Sequence, residues 1–365
     1  MSRILDGLRV PVVAAPMAGG PSTPALAAAV SNAGGLGFLA AGYLSVERLA
    51  ADIADTLTRT DRPFGVNLFA PPARPAGATA FAPPSGAADE AVDGVALAGY
   101  VERLAPTAHR YGVDLGTPTG GDDGYAEKLR LLIAQPVPVV SVAFGVPTAD
   151  VVDALHARGT EVWVTVSHPS AVAAADEVSV DALIVQGMEA GAHRGGVADT
   201  DEYALLPLLR LVAARSRVPL VATGGIADGP GLAAVLVAGA AAGALGTAFL
   251  RAPEAGTSPV HRAAVAGAGD TRLTRAFTGR LARGMINDFI RLFDPWAPAA
   301  YPHVHQITAP LRAAARQAGD PSLMNLWAGQ AHPLAEELPA AEIVERLRAG
   351  AAAAAAALSR RLPPE

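Results

Sequence analysis

Residues 220–250 read LVATGGIADGPGLAAVLVAGAAAGALGTAFL. In this stretch a short apolar run (220–222) precedes a glycine pair, an apolar segment of helical length (230–238) and a second short run (243–245). Short buried strands joined by one helix are typical of a parallel βαβ unit. The stretch therefore predicts a parallel sheet with a crossover helix.

The same alternation extends along most of the chain. Strands are predicted at residues 12–15, 36–40, 65–69, 139–143, 161–166, 182–186, 220–222 and 243–245. Helices are predicted at residues 23–32, 46–59, 122–134, 149–157, 170–175, 202–215 and 230–238, with an Ala-rich terminal helix at 343–358. Eight βα units predict an α/β protein with a closed (β/α)8 TIM barrel, although an open doubly wound sheet would give similar local patterns.

Two segments interrupt the alternation. Residues 70–121 are rich in Pro, Gly and Ala and are too long for an ordinary connection, so we interpret them as either a lid or a partly mobile excursion at the catalytic face. Residues 251–310 follow the eighth strand, and we expect a small, mainly helical capping and substrate region there. The barrel itself is then assigned to residues 1–250 and 311–365.

The composition excludes several kinds of chemistry. The 365 residues contain no Cys, so disulfides, thiolate metal sites and a Cys nucleophile are excluded. The net charge of -6 and the lack of a basic run argue against a nucleic-acid partner. Lys128 is the only lysine, and its polar helical surroundings (GYAEKLRLLI) predict a solvated side chain. Redox chemistry would therefore need a bound cofactor.

One apolar segment has the length of a membrane span, residues 231–250. Its repeated glycines favour a buried helix followed by a short strand instead. Near the N-terminus, Pro11 and Pro16 interrupt an apolar run too short for a secretory signal. We expect a cytoplasmic protein that has no membrane partner and is a monomer or a homodimer.

The most informative stretch for chemistry is QGMEAGAHRGG, residues 186–196, because it follows the sixth strand. Gln186 supplies an amide at the strand end, and His193 beside Arg194 would place a proton acceptor and a cation over a bound ring. Arg194 is therefore predicted to contact the substrate. A solvent-facing loop histidine is the alternative. Asn67 ends the third strand and could either contact a flat ligand or cap a loop.

Glycine-rich turns follow the first and the last two strands. Gly224 with Gly225, and Gly246 with Thr247, would present backbone N–H groups to a phosphate, at the strands where barrels usually bind one. After the first strand, the segment APMAGG includes Ala15, Pro16 and Met17, which either approach a flat ligand closely or form a tight turn.

A second aromatic and histidine-rich motif, YPHVH, occupies residues 301–305. The HxH spacing of His303 and His305 could bind a metal on one strand, but no third ligand is evident, so no metal site is assigned. We interpret the motif as a pocket wall, with Tyr301 as a substrate contact.

Together these motifs resemble the nitronate monooxygenase family, formerly the 2-nitropropane dioxygenases, and its first, nitronate-oxidising class. The resemblance runs through APMAGGPSTPALAAAVSNAGGLGFLAAGYL, PFGVNLF, SVAFGVP, QGMEAGAHRGG, ATGGIADG, LGTAFL, LTRAFTGRLARG, YPHVH and LWAGQ. It implies non-covalent FMN on Asn67, Gln186, Gly191, Gly225, Gly246 and Thr247, with His193 as the catalytic histidine. It also implies oxidation of alkyl nitronates, propionate 3-nitronate among them, by molecular oxygen to carbonyl compounds and nitrite or nitrate.

The chain departs from the family pattern at a few positions. The family usually has Gly where Ala192 stands, Ala where Thr223 stands, and a longer polar residue near Ala244. Because Ala tolerates positive φ poorly, Ala192 could tilt His193. Three other functions remain open at this point: an NAD(P)H-dependent reductase of enoyl-thioesters or quinones, a non-redox barrel that binds phosphate esters, and a flavin-binding protein without activity.

Overall fold

A parallel barrel forms the body of the protein, in a computed structural model that describes residues 2–71, 93–200 and 202–362. Its strands are β1 (Val12–Ala14), β2 (Gly37–Ala40), β3 (Phe64–Phe69), β4 (Val139–Ala143), β5 (Glu161–Val166), β6 (Ala182–Gln186), β8 (Leu220–Thr223) and β9 (Ala242–Leu245). They pair in parallel in the order β1-β9-β8-β6-β5-β4-β3-β2, and a bridge between Val13 and Leu36 joins the two outer strands. The predicted (β/α)8 barrel is confirmed, and the open sheet is excluded.

Helices cover the outside of the barrel and form part of a cap. They are α1 (Arg3–Asp6), α2 (Pro24–Asn32), α3 (Val46–Arg59), α4 (Gly94–Arg110), α5 (Tyr125–Ala134), α6 (Ala149–His156), α7 (Ala171–Glu177), α8 (Leu205–Ala213), α9 (Gly229–Val237), α10 (Pro259–Ala266), α11 (Asp288–Phe293), α12 (His303–Ala318) and α13 (Ala340–Arg361). Several of these helices begin with a side-chain cap. The Thr23 side chain accepts from the Leu26 N–H, and the Asp228 side chain accepts from the Gly231 N–H. Each such cap contributes about 1 kcal/mol.

The apolar segment 231–250 contains most of helix α9, then a turn and strand β9, as its glycines predicted. In the described part of the chain no helix is both long and apolar enough to span a bilayer. The predicted helix at 122–134 begins only at Tyr125, because Asp123 and Gly124 have φ of 59° and 66° and cannot continue a right-handed helix.

The amino end of the barrel is closed. The Ser2 hydroxyl, just before α1, donates to the Glu161 carboxylate at 2.5 Å, and the same carboxylate accepts from the Trp163 indole at 3.1 Å. The Trp163 ring also contacts Phe38, with centroids 5.8 Å apart. Because side chains fill this end, only the carboxyl ends of the strands are left to form a pocket.

Residues between β9 and α13 form most of the cap over that open end. Besides α10 to α12, the cap contains an antiparallel hairpin of β10 (Thr271–Thr274) and β11 (Ala282–Met285). The hairpin also pairs with β7 (Ala192–His193), so that His193 lies opposite Ala282. The cap is therefore helical with one added hairpin. That hairpin holds the barrel loop that carries His193, residues 187–196, which we call the histidine loop.

The excursion at 70–121 is described in part, since residues 72–92 lie outside the described residues. Its remainder contains α4 and an extended segment that crosses the cap. The Tyr100 hydroxyl donates to the Ala276 carbonyl at 2.5 Å, and the Gly116 N–H donates to the Ile307 carbonyl at 2.9 Å. These bonds tie the described part of the excursion to the cap.

Candidate active site

A cavity opens at the carboxyl ends of the barrel strands, beneath the cap. The sequence-predicted residues that line it are Ala15, Pro16, Met17, Asn67, Gln186, Gly191, His193, Gly224, Gly225, Gly246 and Thr247. They come from the ends of β1, β3, β6, β8 and β9 and from the histidine loop. The structure thus brings to one cavity residues that are spread over more than half of the chain.

The glycine turns after β8 and β9 lie side by side at one end of this cavity. Gly224 and Gly225 have φ of 111° and 69°, which a residue with a side chain rarely adopts. A Cβ at Gly246 would lie 3.5 Å from the Met17 sulfur, in the space between the ends of β1 and β9. Exposed backbone at two adjacent turns suits a phosphate, and the cavity beyond suits a flat ring, so these residues fit FMN.

The side chain of Gln186 braces the histidine loop. Its Oε1 accepts from the Gly195 N–H at 2.7 Å, and its Nε2 donates to the His193 carbonyl at 3.1 Å. The Asn67 side chain likewise bonds to a neighbouring segment, since its Nδ2 donates to the Ser141 hydroxyl at 3.0 Å. Both amides line the cavity and also hold neighbouring segments in place.

Arg194 does not line the cavity. Its side chain is buried, and its guanidinium donates to the carbonyls of Gly187 at 2.6 Å and Gln186 at 3.2 Å. The predicted substrate contact would need this cation inside the cavity. The structure instead places it beneath the histidine loop, where it holds the loop backbone.

His193 is surrounded by aromatic rings. Its ring centroid lies 5.8 Å from those of Phe144 and Tyr301 and 5.6 Å from that of Trp327. Burial lowers the pKa of His193 well below its usual value, and the positive charge of Arg280 lowers it further. The imidazole is therefore neutral at neutral pH and able to accept a proton.

A hydroxyl on the cap orients His193. His193 Nε2 lies 2.9 Å from Thr278 Oγ1, and that hydroxyl donates to the Arg280 carbonyl at 3.1 Å. With that hydrogen donated to the Arg280 carbonyl, Nε2 carries the proton and donates to Thr278. This leaves the lone pair on Nδ1 as the basic atom.

Tyr301 lies behind the cavity wall rather than in it. Its hydroxyl is 3.4 Å from that of Tyr43, and the Tyr43 ring is the one that lines the cavity. Burial raises the pKa of Tyr43 to about 12, so its hydroxyl stays protonated and can donate a hydrogen bond. Of these two tyrosines, Tyr43 is therefore the one that the structure places on the cavity wall.

His303 and His305 lie on helix α12, not on a strand, so their spacing turns them to different sides. The His305 ring stacks on Tyr43, with centroids 4.3 Å apart. Burial, together with the positive charge of Arg312, lowers the pKa of His305 to about 3. Among the described residues no three His, Cys, Asp or Glu side chains are grouped to hold a metal.

The expectation of a solvated Lys128 is wrong. The side chain is 2% exposed, and its Nζ lies 2.7 Å from Asp123 Oδ2. A polar helical pattern did not reveal this burial because the partner lies in the turn before the helix. Burial raises the pKa of Asp123, and Lys128 opposes that rise.

Comparisons with known proteins agree with this architecture. A family model for nitronate monooxygenase matches residues 2–350. The chain belongs to the nitronate monooxygenase family. A nitronate monooxygenase of Paraburkholderia phytofirmans is 39% identical over 358 residues, which cover 94% of this chain and 92% of that protein. A nitronate monooxygenase of Pseudomonas aeruginosa is also 39% identical, over 94% of this chain and 96% of its own length.

Two solved structures extend the comparison. The nitroalkane oxidase of Streptomyces ansochromogenes has a TM-score of 0.91 at 46% identity and covers 98% of this chain and 100% of its own. FabK of Thermotoga maritima has a TM-score of 0.73 at 26% identity, covering 99% of both chains. The chain is thus an oxidoreductase built on the fold of the nitronate monooxygenase family.

Where this chain departs from the nitronate monooxygenase pattern, at Ala192, the backbone keeps the geometry of glycine. Ala192 has φ of 61° and pairs with Arg283 of β11. An alanine in this region costs about 1 kcal/mol. Tyr43 and Phe144, which also line the cavity, have φ of 67° and 73°. Strained backbone is therefore concentrated around the site, as is common where side chains must be aimed at a ligand.

The sequence did not single out several residues of this nitronate monooxygenase site. Thr278 and Trp327 lie in motifs that were quoted for the resemblance, LTRAFTGRLARG and LWAGQ, but no local pattern marks them as neighbours of His193. Phe144 directly follows β4, and Tyr43 lies three residues after the end of β2. Their position after strands was the one available signal.

Proposed function

We propose that the chain binds FMN non-covalently in this cavity and oxidises alkyl nitronates, such as propionate 3-nitronate, with molecular oxygen to carbonyl compounds and nitrite or nitrate. The single observation that carries the proposal is that His193 faces the same cavity as the glycine turns after β8 and β9. The flavin, when bound, would supply the electron transfer from substrate to oxygen.

The protein residues have separate tasks in this proposal. Asn67 and the backbone at Gly224, Gly225, Gly246 and Thr247 would hold the cofactor. The protonated Tyr43 hydroxyl would donate to an oxygen of the nitro group, in the role first given to Tyr301. The cap and its aromatic rings would limit water around the reacting atoms.

His193 would matter only for a neutral nitroalkane. Its Nδ1 lone pair would accept the α-proton, which converts the nitroalkane to its nitronate. A nitronate has already lost that proton. His193→Asn should therefore abolish nitroalkane turnover and largely preserve nitronate turnover. An equal loss with both substrates would refute the assignment of the base.

The proposal is tested by the absorption spectrum of the purified protein under anaerobic conditions. We expect a flavin spectrum that changes on addition of propionate 3-nitronate and not on addition of NADH. Bleaching by NADH would favour a reductase of enoyl-thioesters or quinones on the same barrel. A protein without flavin after reconstitution with FMN would refute the proposal.

A further inference from the structure

The one lysine of the chain forms an internal ion pair that leads directly to the cavity. Lys128 is almost wholly buried on α5, and Asp123 Oδ2 lies 2.7 Å from its ammonium group. The other carboxylate oxygen, Oδ1, accepts from the Tyr43 N–H at 2.9 Å. Asp123 thus joins a lysine on the outer helix layer to a residue of the cavity wall 80 positions earlier in the chain.

A buried ion pair is poor evidence for stability, because apolar side chains of the same size usually pack as well. Such a pair is better explained by what it holds in place. Here it holds the backbone of Tyr43, whose φ of 67° is rarely adopted by a residue with a side chain. The acceptor offered by Asp123 stabilises that backbone.

The backbone of Tyr43 determines where its ring lies. The ring stacks on His305 at an interplanar angle of 7° and meets Phe69 edge-on, with centroids 5.5 Å apart. The preceding residue, Gly42, packs so closely that a Cβ there would be 2.2 Å from Phe69. A change in the Tyr43 backbone would therefore turn both its ring and its hydroxyl within the cavity.

We infer that Asp123 and Lys128 are positioning residues that aim the Tyr43 hydroxyl at the substrate. The inference rests on the proposed function, since it takes a nitronate as the group that Tyr43 contacts. Lys128 keeps the carboxylate ionised and in place, and Asp123 holds the Tyr43 N–H. Neither side chain lines the cavity itself.

The first test is a double-mutant cycle in the FMN-loaded enzyme, with ethylnitronate as substrate. Asp123→Ala and Tyr43→Phe should each raise KM by roughly three- to tenfold, the effect of one lost hydrogen bond. If Asp123 acts through Tyr43, the double variant should be no worse than either single variant. Effects that multiply, or an unchanged KM in Asp123→Ala, would overturn the inference.

Charge and geometry are separated by three further variants. Lys128→Met should raise KM as Asp123→Ala does, because the unpaired carboxylate can turn toward solvent. Lys128→Met combined with Asp123→Asn removes both charges but keeps an acceptor oxygen, and it should restore KM toward the wild-type value. Arg130→Met, which breaks an exposed pair with Glu127 on the same helix, is the matched control and should have no effect. A double variant without such recovery, or a control as impaired as Lys128→Met, would contradict the inference.

A measurement without turnover separates this inference from the proposed function. Protein labelled with fluorotyrosine has six tyrosine resonances, and Tyr43→Phe identifies the one from Tyr43. That resonance should shift in Lys128→Met and stay in place in Arg130→Met. If wild-type enzyme does not oxidise ethylnitronate, the proposed function fails while this shift still supports the positioning role. A Tyr43 resonance unchanged in Lys128→Met would refute the positioning role whatever the enzyme turns over.

Discussion

Replacing Thr278 by Val removes the hydroxyl that orients His193. The hydroxyl oxygen lies 2.9 Å from His193 Nε2, so Thr278→Val leaves the Nε2 proton in an apolar site without its acceptor. An unsatisfied buried donor costs about 1–3 kcal/mol. The cost is larger once Nδ1 has taken a proton, because the imidazolium makes a stronger, charge-assisted bond to Thr278.

The extra cost of losing the hydrogen bond to the imidazolium affects only the step in which His193 abstracts a proton. The difference between a charged and a neutral hydrogen bond, about 1–1.5 kcal/mol, corresponds to a roughly 5- to 12-fold lower kcat/KM for nitroethane. The kcat/KM for ethylnitronate, which has no proton to lose, should change by less than about threefold, since the lost bond does not enter that reaction. Oxygen consumption at pH 7 with each substrate measures both values.

Thr278→Ser is the matched control, since it keeps the hydroxyl and loses only a methyl group. It should retain nitroethane activity within a few-fold of the wild-type enzyme. The reasoning is refuted if Ser and Val lower nitroethane turnover equally, or if Val lowers the turnover of both substrates by the same factor.

Three further predictions concern the loop, the charge near it and the cofactor turn. Ala192→Gly should raise stability by about 0.5–1 kcal/mol by relieving the positive φ, seen as a higher thermal midpoint; a lower midpoint would contradict the strain. Because Arg280 helps to lower the pKa of His193, the neutral base is lost only when the pH falls through that low pKa. Arg280→Met should therefore move the acid limb of the nitroethane pH profile to higher pH, whereas Arg280→Lys should not. Gly224→Ala should reduce the FMN content of the purified protein, and Gly239→Ala, with nearly the same φ of 108° at a distant turn, should leave FMN content unchanged.

The barrel could be predicted from the sequence because its signals are local. Apolar runs of three to six residues with helical segments between them marked all eight strands, and three of the strands, β4, β5 and β6, have the predicted bounds. The glycine pair after β8 and Gly246 after β9 marked the turns in the same way. The turn at Gly224 can be predicted from the residue type because its backbone conformation depends mainly on the lack of a side chain.

The roles of single side chains depended on partners far away in the chain. His193 and Arg194 are adjacent, yet the His193 ring faces the cavity and the Arg194 guanidinium faces the loop carbonyls. These orientations are fixed when β7 pairs with the hairpin of the cap. Thr278 reaches His193 across 85 residues, and Asp123 reaches Tyr43 across 80. The sequence by itself determined the eight barrel strands, the helices between them and the glycine turns. Only the tertiary structure decided which polar groups meet and how burial shifts the pKa of His193, because desolvation and hydrogen bonding arise between segments that no local pattern connects.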